Sequence, residues 1–307
     1  MAVIVILVLV WVGAYLCIRA RILPVPVMRA WFAAVMVSVL SATNILTFFG
    51  HSLRHLGVSP KTTKLICTYV CIVTFRLALF LNPHIRIRID ERQQKWSEIP
   101  EPSATAVNHT SFWDAFCFVG SAPVNYIYNC KTLMKSTLRN MPLFGPVYDR
   151  VGHFPVYFKS STDGDFSVDK DRQAIVAEEV NAHLKDSGRI AFFPEGAVNK
   201  TPRTLNPFRH GSFATILQNK LKVYYFVSVG NEETWPATAS LGGYPADIDI
   251  VLGSFELNHN DASITAKDVA ERLQAKMQSD LESLLATRAS RGRKSPRGPL
   301  LSPTKSS

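Results

Sequence analysis

The chain has 307 residues and a formal net charge of +10, and 47% of its residues are hydrophobic, enough for a sizeable buried core. The charge is uneven: residues 1–89 hold nine Lys or Arg and no acid, and residues 288–307 hold six and no acid. Removing both ends leaves about −5 for residues 90–287. An acidic globular middle excludes a nucleic-acid-binding core, whereas a basic, apolar N-terminus suits an anionic membrane leaflet.

Residues 1–18 and 30–50 carry no charged side chain. Each run approaches the roughly 20 apolar residues needed to cross a bilayer. A third stretch, 65–81, is apolar apart from Arg76 and reads as a further span, a re-entrant segment or a helix lying in the interface. No Lys or Arg precedes the first run, so it reads as a retained anchor and not as a cleaved signal peptide. The five cysteines lack CxxC spacing and read as reduced packing residues.

After Asn82-Pro83 the pattern becomes that of a globular α/β domain. Strict alternation predicts a strand over 85–89, and a short apolar run predicts another over 104–107. There follow a helix over 112–119, a strand over 125–128, a helix over 131–139 and a strand over 154–158. A helical period over 169–185 ends near Gly188, placed as its left-handed stop, before a strand over 189–193. A helix over 208–221, strands over 223–229 and 247–252, and a last helix from Thr265 to about Ala286 complete the order. Thr265 and Asp268 have the spacing of a capping box.

The fold class expected is therefore α/β: a mixed, largely parallel sheet flanked by helices, preceded by an N-terminal membrane-embedded helical region. The domains expected are anchoring helices over 1–82, a catalytic domain over 83–287 and a disordered basic tail over 288–307.

Two motifs carry the chemistry. Asn108-His109-Thr110-Ser111-Phe112-Trp113-Asp114 follows a predicted strand and opens a predicted helix. An imidazole changes charge near neutral pH and can take a proton from an alcohol, while a carboxylate one helical turn away can fix its tautomer. Such a pair arises by chance often enough to carry little alone. Phe193-Pro194-Glu195-Gly196 places a carboxylate on a tight turn at the carboxyl end of a strand, where α/β sheets bind ligands. The glycosylation sequons at Asn108 and Asn199 coincide with these motifs and read as accidental. His153 and His210 lack metal-ligand spacing and read as polar residues near a cleft.

At these residues the chain resembles the glycerolipid acyltransferase family that includes the 1-acylglycerol-3-phosphate acyltransferases. Asn108-His109-x-Ser111-x-x-Asp114 matches the catalytic block and Phe193-Pro194-Glu195-Gly196 the third block. Lys131, Pro142-Leu143-Phe144-Gly145 and Gly152 stand where the second block is expected. Family members usually end that block with a phosphate-binding Arg; Phe158 stands at the matching position, with Lys159 beside it. The fourth block usually carries a Pro, and residues 223–230 have none.

The resemblance implies acyl transfer from acyl-CoA, as co-substrate, to the free hydroxyl of a lysophospholipid, 1-acylglycerol-3-phosphate foremost, with no metal or other cofactor. His109 is then the general base and Asp114 its orienting carboxylate. Asn108, Ser111, Pro194, Glu195 and Gly196 shape the acceptor site, and Lys131, Gly152, Lys159, Arg203 and Arg209 are candidates around substrate phosphates. The partners expected are both substrates and the lipid bilayer, with no nucleic acid. The location implied is an integral membrane protein of the endoplasmic reticulum with a cytosolic catalytic domain. The alternatives are another lysophospholipid or glycerol-3-phosphate as acceptor, an inactive membrane-anchored lipid-binding protein, and a secreted glycoprotein.

Overall fold

The computed structural model describes residues 1–91, 93–159 and 167–291. Three long apolar helices come first: α1 (Ala2–Ala20), α2 (Val25–Ser52) and α3 (Pro60–Leu81). The rest of the chain supplies β1 (Ile85–Asp90), β2 (Ser103–Val107), α4 (Asp114–Ser121), α5 (Val124–Ile127), β3 (Cys130–Lys135), α6 (Gly145–Val151), β4 (Phe154–Val156), α7 (Lys170–Lys185) and β5 (Arg189–Phe192). It ends with α8 (Gly211–Gln218), β6 (Lys222–Val229), α9 (Asn231–Thr234), β7 (Ala246–Phe255) and α10 (Ala266–Ser290).

The strands form one seven-stranded sheet in the order β1-β7-β6-β2-β5-β3-β4, in which every pairing is parallel except β6 with β7. β1 and β7 therefore run against the other five strands. One face packs against α2, α3, α4 and α5, and the other against α7, α8 and α10. Helices on both faces and a largely parallel sheet are as the alternating pattern predicts.

Four local expectations fail for identifiable reasons. Residues 125–128 lie in the short helix α5, which starts directly after Pro123. Residues 131–139, expected as a helix, form β3 and then a single 3₁₀ turn; pairing with β4 and β5 on either side overrides the helical propensity of Lys, Leu and Met. The left-handed residue after α7 is Ser187, with φ 60°, and not Gly188. Gly188 is needed for a different reason, since a Cβ there would lie 2.2 Å from the His183 ring. The last helix runs on to Ser290, because Arg288 and Arg291 both pair with Asp249 of β7 at 3.2 and 2.9 Å. The expected capping box is present, Thr265 Oγ1 accepting from Asp268 N. The disorder expected of the tail beyond residue 291 lies outside the described residues.

The apolar helices divide into two kinds. α1 leaves most of its surface exposed from Val3 to Val12 and carries the highest mean hydropathy of the three, 2.5. α2 and α3 pair antiparallel and touch the α/β domain from end to end. Phe32 near the start of α2 packs 5.3 Å from Trp113, Asn44 accepts from Arg150, Arg76 Nη2 donates to the Ala122 carbonyl, and Lys61 at the hairpin turn pairs with Asp186 at 2.6 Å. Both ends of this hairpin are thus held by one domain. A bilayer crossing by α2 and α3 would carry the turn away from that domain, so the hairpin lies along it, with one face on the domain and Ile45, Leu46, Val73, Leu77 and Phe80 exposed on the other.

α1 is latched to the same domain. Arg21, its C-cap, donates to the carbonyls of His84 and Ala246 and pairs with Asp247 at 3.2 Å. Trp11, Tyr15, Trp31 and Phe80 stack in a row between α1 and the base of the hairpin. Because Phe32 is fully buried between Trp113 and Trp235, Phe32→Ala is expected to cost about 3–5 kcal/mol. Thermal unfolding of the full chain in detergent should show a midpoint lowered by several degrees; an unchanged midpoint would mean that α2 does not brace the domain.

Candidate active site

β2 consists of small residues buried on both faces, and it delivers Asn108 and His109 at its carboxyl end. The chain then turns into α4. The fully buried Asp114 organises that turn: its Oδ2 accepts Thr110 N at 2.7 Å, Ser111 N at 2.8 Å and His109 Nδ1 at 2.9 Å. An ionised carboxylate only accepts, so Nδ1 carries the imidazole proton and Nε2 keeps a free lone pair. The ring lies 4.3 Å from Phe193 and the side chain is about one fifth exposed.

β5 brings the second motif to the same edge. Gly196, at φ 74°, makes the turn that L side chains rarely adopt, and its N–H closes on the Phe193 carbonyl at 3.0 Å. Glu195 points inward and is 1% exposed. Its Oε1 accepts His109 N at 2.8 Å, and its Oε2 accepts Asn199 Nδ2 at 2.8 Å and Asn206 N at 2.9 Å. Asn199 N in turn donates to the His109 carbonyl at 2.6 Å. The backbone of His109 is thus clamped on both sides by the loop after β5. Burial pushes the Glu195 carboxyl above the ordinary range, against the pull of the hydrogen bonds donated to it.

The other motif residues are engaged in the same way. The Asn108 amide pairs with both backbone groups of Ser228 at 2.8 and 2.9 Å, tying the end of β2 to β6. Ser111 Oγ donates to the Trp235 carbonyl at 2.8 Å and accepts Trp113 N at 3.0 Å. Asn108, Ser111 and Glu195, expected to shape the acceptor site, have these side-chain atoms engaged by the protein around His109. Asn108 and Asn199 are both buried, which leaves neither sequon accessible for glycosylation in the folded chain.

The structure separates Lys131 and Gly152 from this edge. Lys131 is level with Ile190, which is level with Ala104, five residues before His109; at about 3.3 Å per residue this is roughly 16 Å away, at the opposite end of the strands. There Lys131 Nζ donates to Val151 O and Thr68 Oγ1, and burial together with Lys64 lowers its pKa to about 8. Gly152 caps α6 beside the Lys64 side chain. The lysine at the catalytic end of β3 is Lys135, four residues on, with Nζ 5.8 Å from the Phe158 ring. Reading β3 as a helix hid it; on a strand, its carboxyl end is the one that meets the site. Lys159 is exposed past β4, and Arg203 and Arg209 are exposed on the loop that carries Asn199.

Beside His109, between the sheet and the α3–α4–α6 layer, lies an apolar cavity of about 60 Å³. Phe193, Val107 and Met134 line it at the carboxyl end of the strands, and Cys130 and Thr68 towards the other end. The arrangement can take a proton at Nε2, and the apolar cavity is reached past Phe193.

The acyltransferase family model matches residues 84–229. Among solved structures the chain is similar to the crystal structure of the 1-acyl-sn-glycerophosphate (LPA) acyltransferase PlsC from Thermotoga maritima. The TM-score is 0.62 and the identity 12%, with 85% of this chain and 96% of that chain covered. At that identity the likeness concerns the fold. A comparison with curated protein sequences finds no significant match. Because the Glu195 carboxylate accepts three donors, Glu195→Gln leaves one of them facing an amide N–H, at a cost of about 1–3 kcal/mol. Thermal unfolding should show the loss; full stability would contradict the clamp.

Proposed function

We propose that this chain, a member of the acyltransferase family through residues 84–229, transfers a fatty acyl group from acyl-CoA to the free hydroxyl of a lysophospholipid, 1-acylglycerol-3-phosphate foremost. The observation that carries the reading is the His109–Asp114 pair, with a free Nε2 beside an apolar cavity, on a domain flanked by exposed apolar helices.

Nε2 of His109 takes the acceptor's hydroxyl proton as the oxygen attacks the thioester carbonyl. The imidazolium is stabilised by Asp114. Collapse of the tetrahedral intermediate breaks the C–S bond, and the departing thiolate recovers the proton, giving the ester and free CoA. The acyl chain points into the cavity lined by Phe193 and Met134. Lys135, in place of Lys131, approaches the acceptor phosphate, and the basic loop with Arg203 and Arg209 faces the phosphates of CoA. No step in this scheme requires a metal.

α1 supplies the span, and the positive residues at its C-terminal end and along the hairpin put the catalytic domain on the cytosolic side, with the endoplasmic reticulum as the membrane. A lysolipid and a long-chain acyl-CoA both partition to that surface, so attachment raises the concentration of both substrates.

His109→Ala in the full chain, assayed by CoA release with 1-acylglycerol-3-phosphate, should lose about a hundredfold or more in kcat. Near-normal turnover would overturn the reading. Lys135→Ala should raise KM for this acceptor about tenfold, since a charge-assisted hydrogen bond contributes about 1.5–3 kcal/mol. If Lys135→Ala leaves that KM unchanged and a neutral-headgroup lysolipid is the better acceptor, Phe158 marks a change of substrate.

A further inference from the structure

The turn of the α2–α3 hairpin lies at the end of the domain away from His109, where Lys64 packs over Gly152 next to Lys131. Residues 51–64 carry His51, Arg54, His55, Lys61 and Lys64 and no acid. Arg150 reaches in from α6, donating to Asn44 while its guanidinium lies 5.4 Å over the Phe48 ring. Lys61 is paired with Asp186. The side chains of Arg54, His55 and Lys64 are exposed and have no hydrogen bond or ion pair among the described residues.

Large apolar side chains are set among these cations. Phe48 and Phe49 are more than half exposed and Leu56 is 80% exposed, at the tip of the turn. A leucine held out on a short turn between His55 and Gly57 contributes nothing to the core of this chain. The exposed apolar strip of the hairpin, through Ile45, Leu46, Val73 and Leu77, runs up to this point and ends in the cations. An apolar wedge ringed by basic residues matches a leaflet boundary, where aromatic and aliphatic groups enter the acyl region and cations meet the phosphates. An acidic protein would match the charge but leave the adjoining strip uncovered.

We propose that the hairpin turn binds anionic phospholipid headgroups of the leaflet that carries the protein, holding the far end of the catalytic domain down while α1 holds the end near His109. Phe48, Phe49 and Leu56 insert, and Arg54, His55 and Lys64 contact phosphates or carboxylates. The proposal rests on the membrane seating given under the proposed function. The contact is separate from the acceptor site, because the turn and His109 lie at opposite ends of the strands.

The test is hydrogen exchange of the full chain in nanodiscs of phosphatidylcholine alone and of phosphatidylcholine mixed with phosphatidylserine. Amides of residues 53–60 should exchange severalfold more slowly in the mixed discs, while those of α1 are equally protected in both. The double variant Arg54→Glu, Lys64→Glu should lose the difference at residues 53–60 and keep the α1 protection. The neutral double variant Arg54→Gln, Lys64→Gln should show an intermediate difference and serves if charge reversal disturbs folding. Equal exchange of residues 53–60 in the two discs, or undiminished slowing in the charge-reversed variant, would overturn the proposal. An unprotected α1 would instead overturn the membrane seating beneath it.

Discussion

A single buried oxygen, Oδ2 of Asp114, organises the site by accepting two backbone N–H groups and the His109 ring at once. A carboxylate out of water is tolerated only when donors surround it, and here the donors are the His109 ring and the backbone of the turn that leads into the helix Asp114 begins. The position of α4, the tilt of the imidazole and its tautomer are therefore one constraint. Glu195 repeats the device a layer further out: its own donors are the backbone of His109 and of the following loop, so the two motifs cannot move independently.

That constraint is transmitted to the membrane helices by packing. Trp113, next to Asp114, stacks on Phe116 and meets Phe32 of α2, which in turn meets Trp235, whose carbonyl holds Ser111. The base of the hairpin thus packs within one residue of the Asp114 carboxylate. The same end of the domain holds the Arg21 latch of α1. The chemistry and the anchoring are thus built at one edge, the carboxyl end of β2 and β5.

Much of this was legible in the residues. The tight turn at Gly196 and the largely parallel sheet follow from φ preference and alternation, whereas His109 and Asp114 stood out only with the second motif and the family resemblance. The roles of Asn108, Ser111 and Glu195 were not legible, because a polar residue near a catalytic one looks the same whether it faces substrate or its own backbone; only the partners decide. Lys131 was a candidate only through the resemblance, and the pairing of β3 with β4 and β5 puts it at the opposite end of the strand from His109. The sequence left residues 65–81 open between a span and a helix lying in the interface, because hydropathy measures length and apolarity and cannot distinguish a face turned to lipid from a face turned to Trp113 or Arg150.

The central claim is that Asp114 holds His109 with its proton on Nδ1 and its lone pair on Nε2. ¹⁵N chemical shifts of histidine-labelled full-length protein in nanodiscs, assigned by loss of the signals in His109→Asn, report that tautomer directly. The structure predicts a protonated Nδ1 and a bare Nε2 for neutral His109, reversed or averaged in Asp114→Asn. A neutral His109 protonated on Nε2 in the unaltered protein would contradict it.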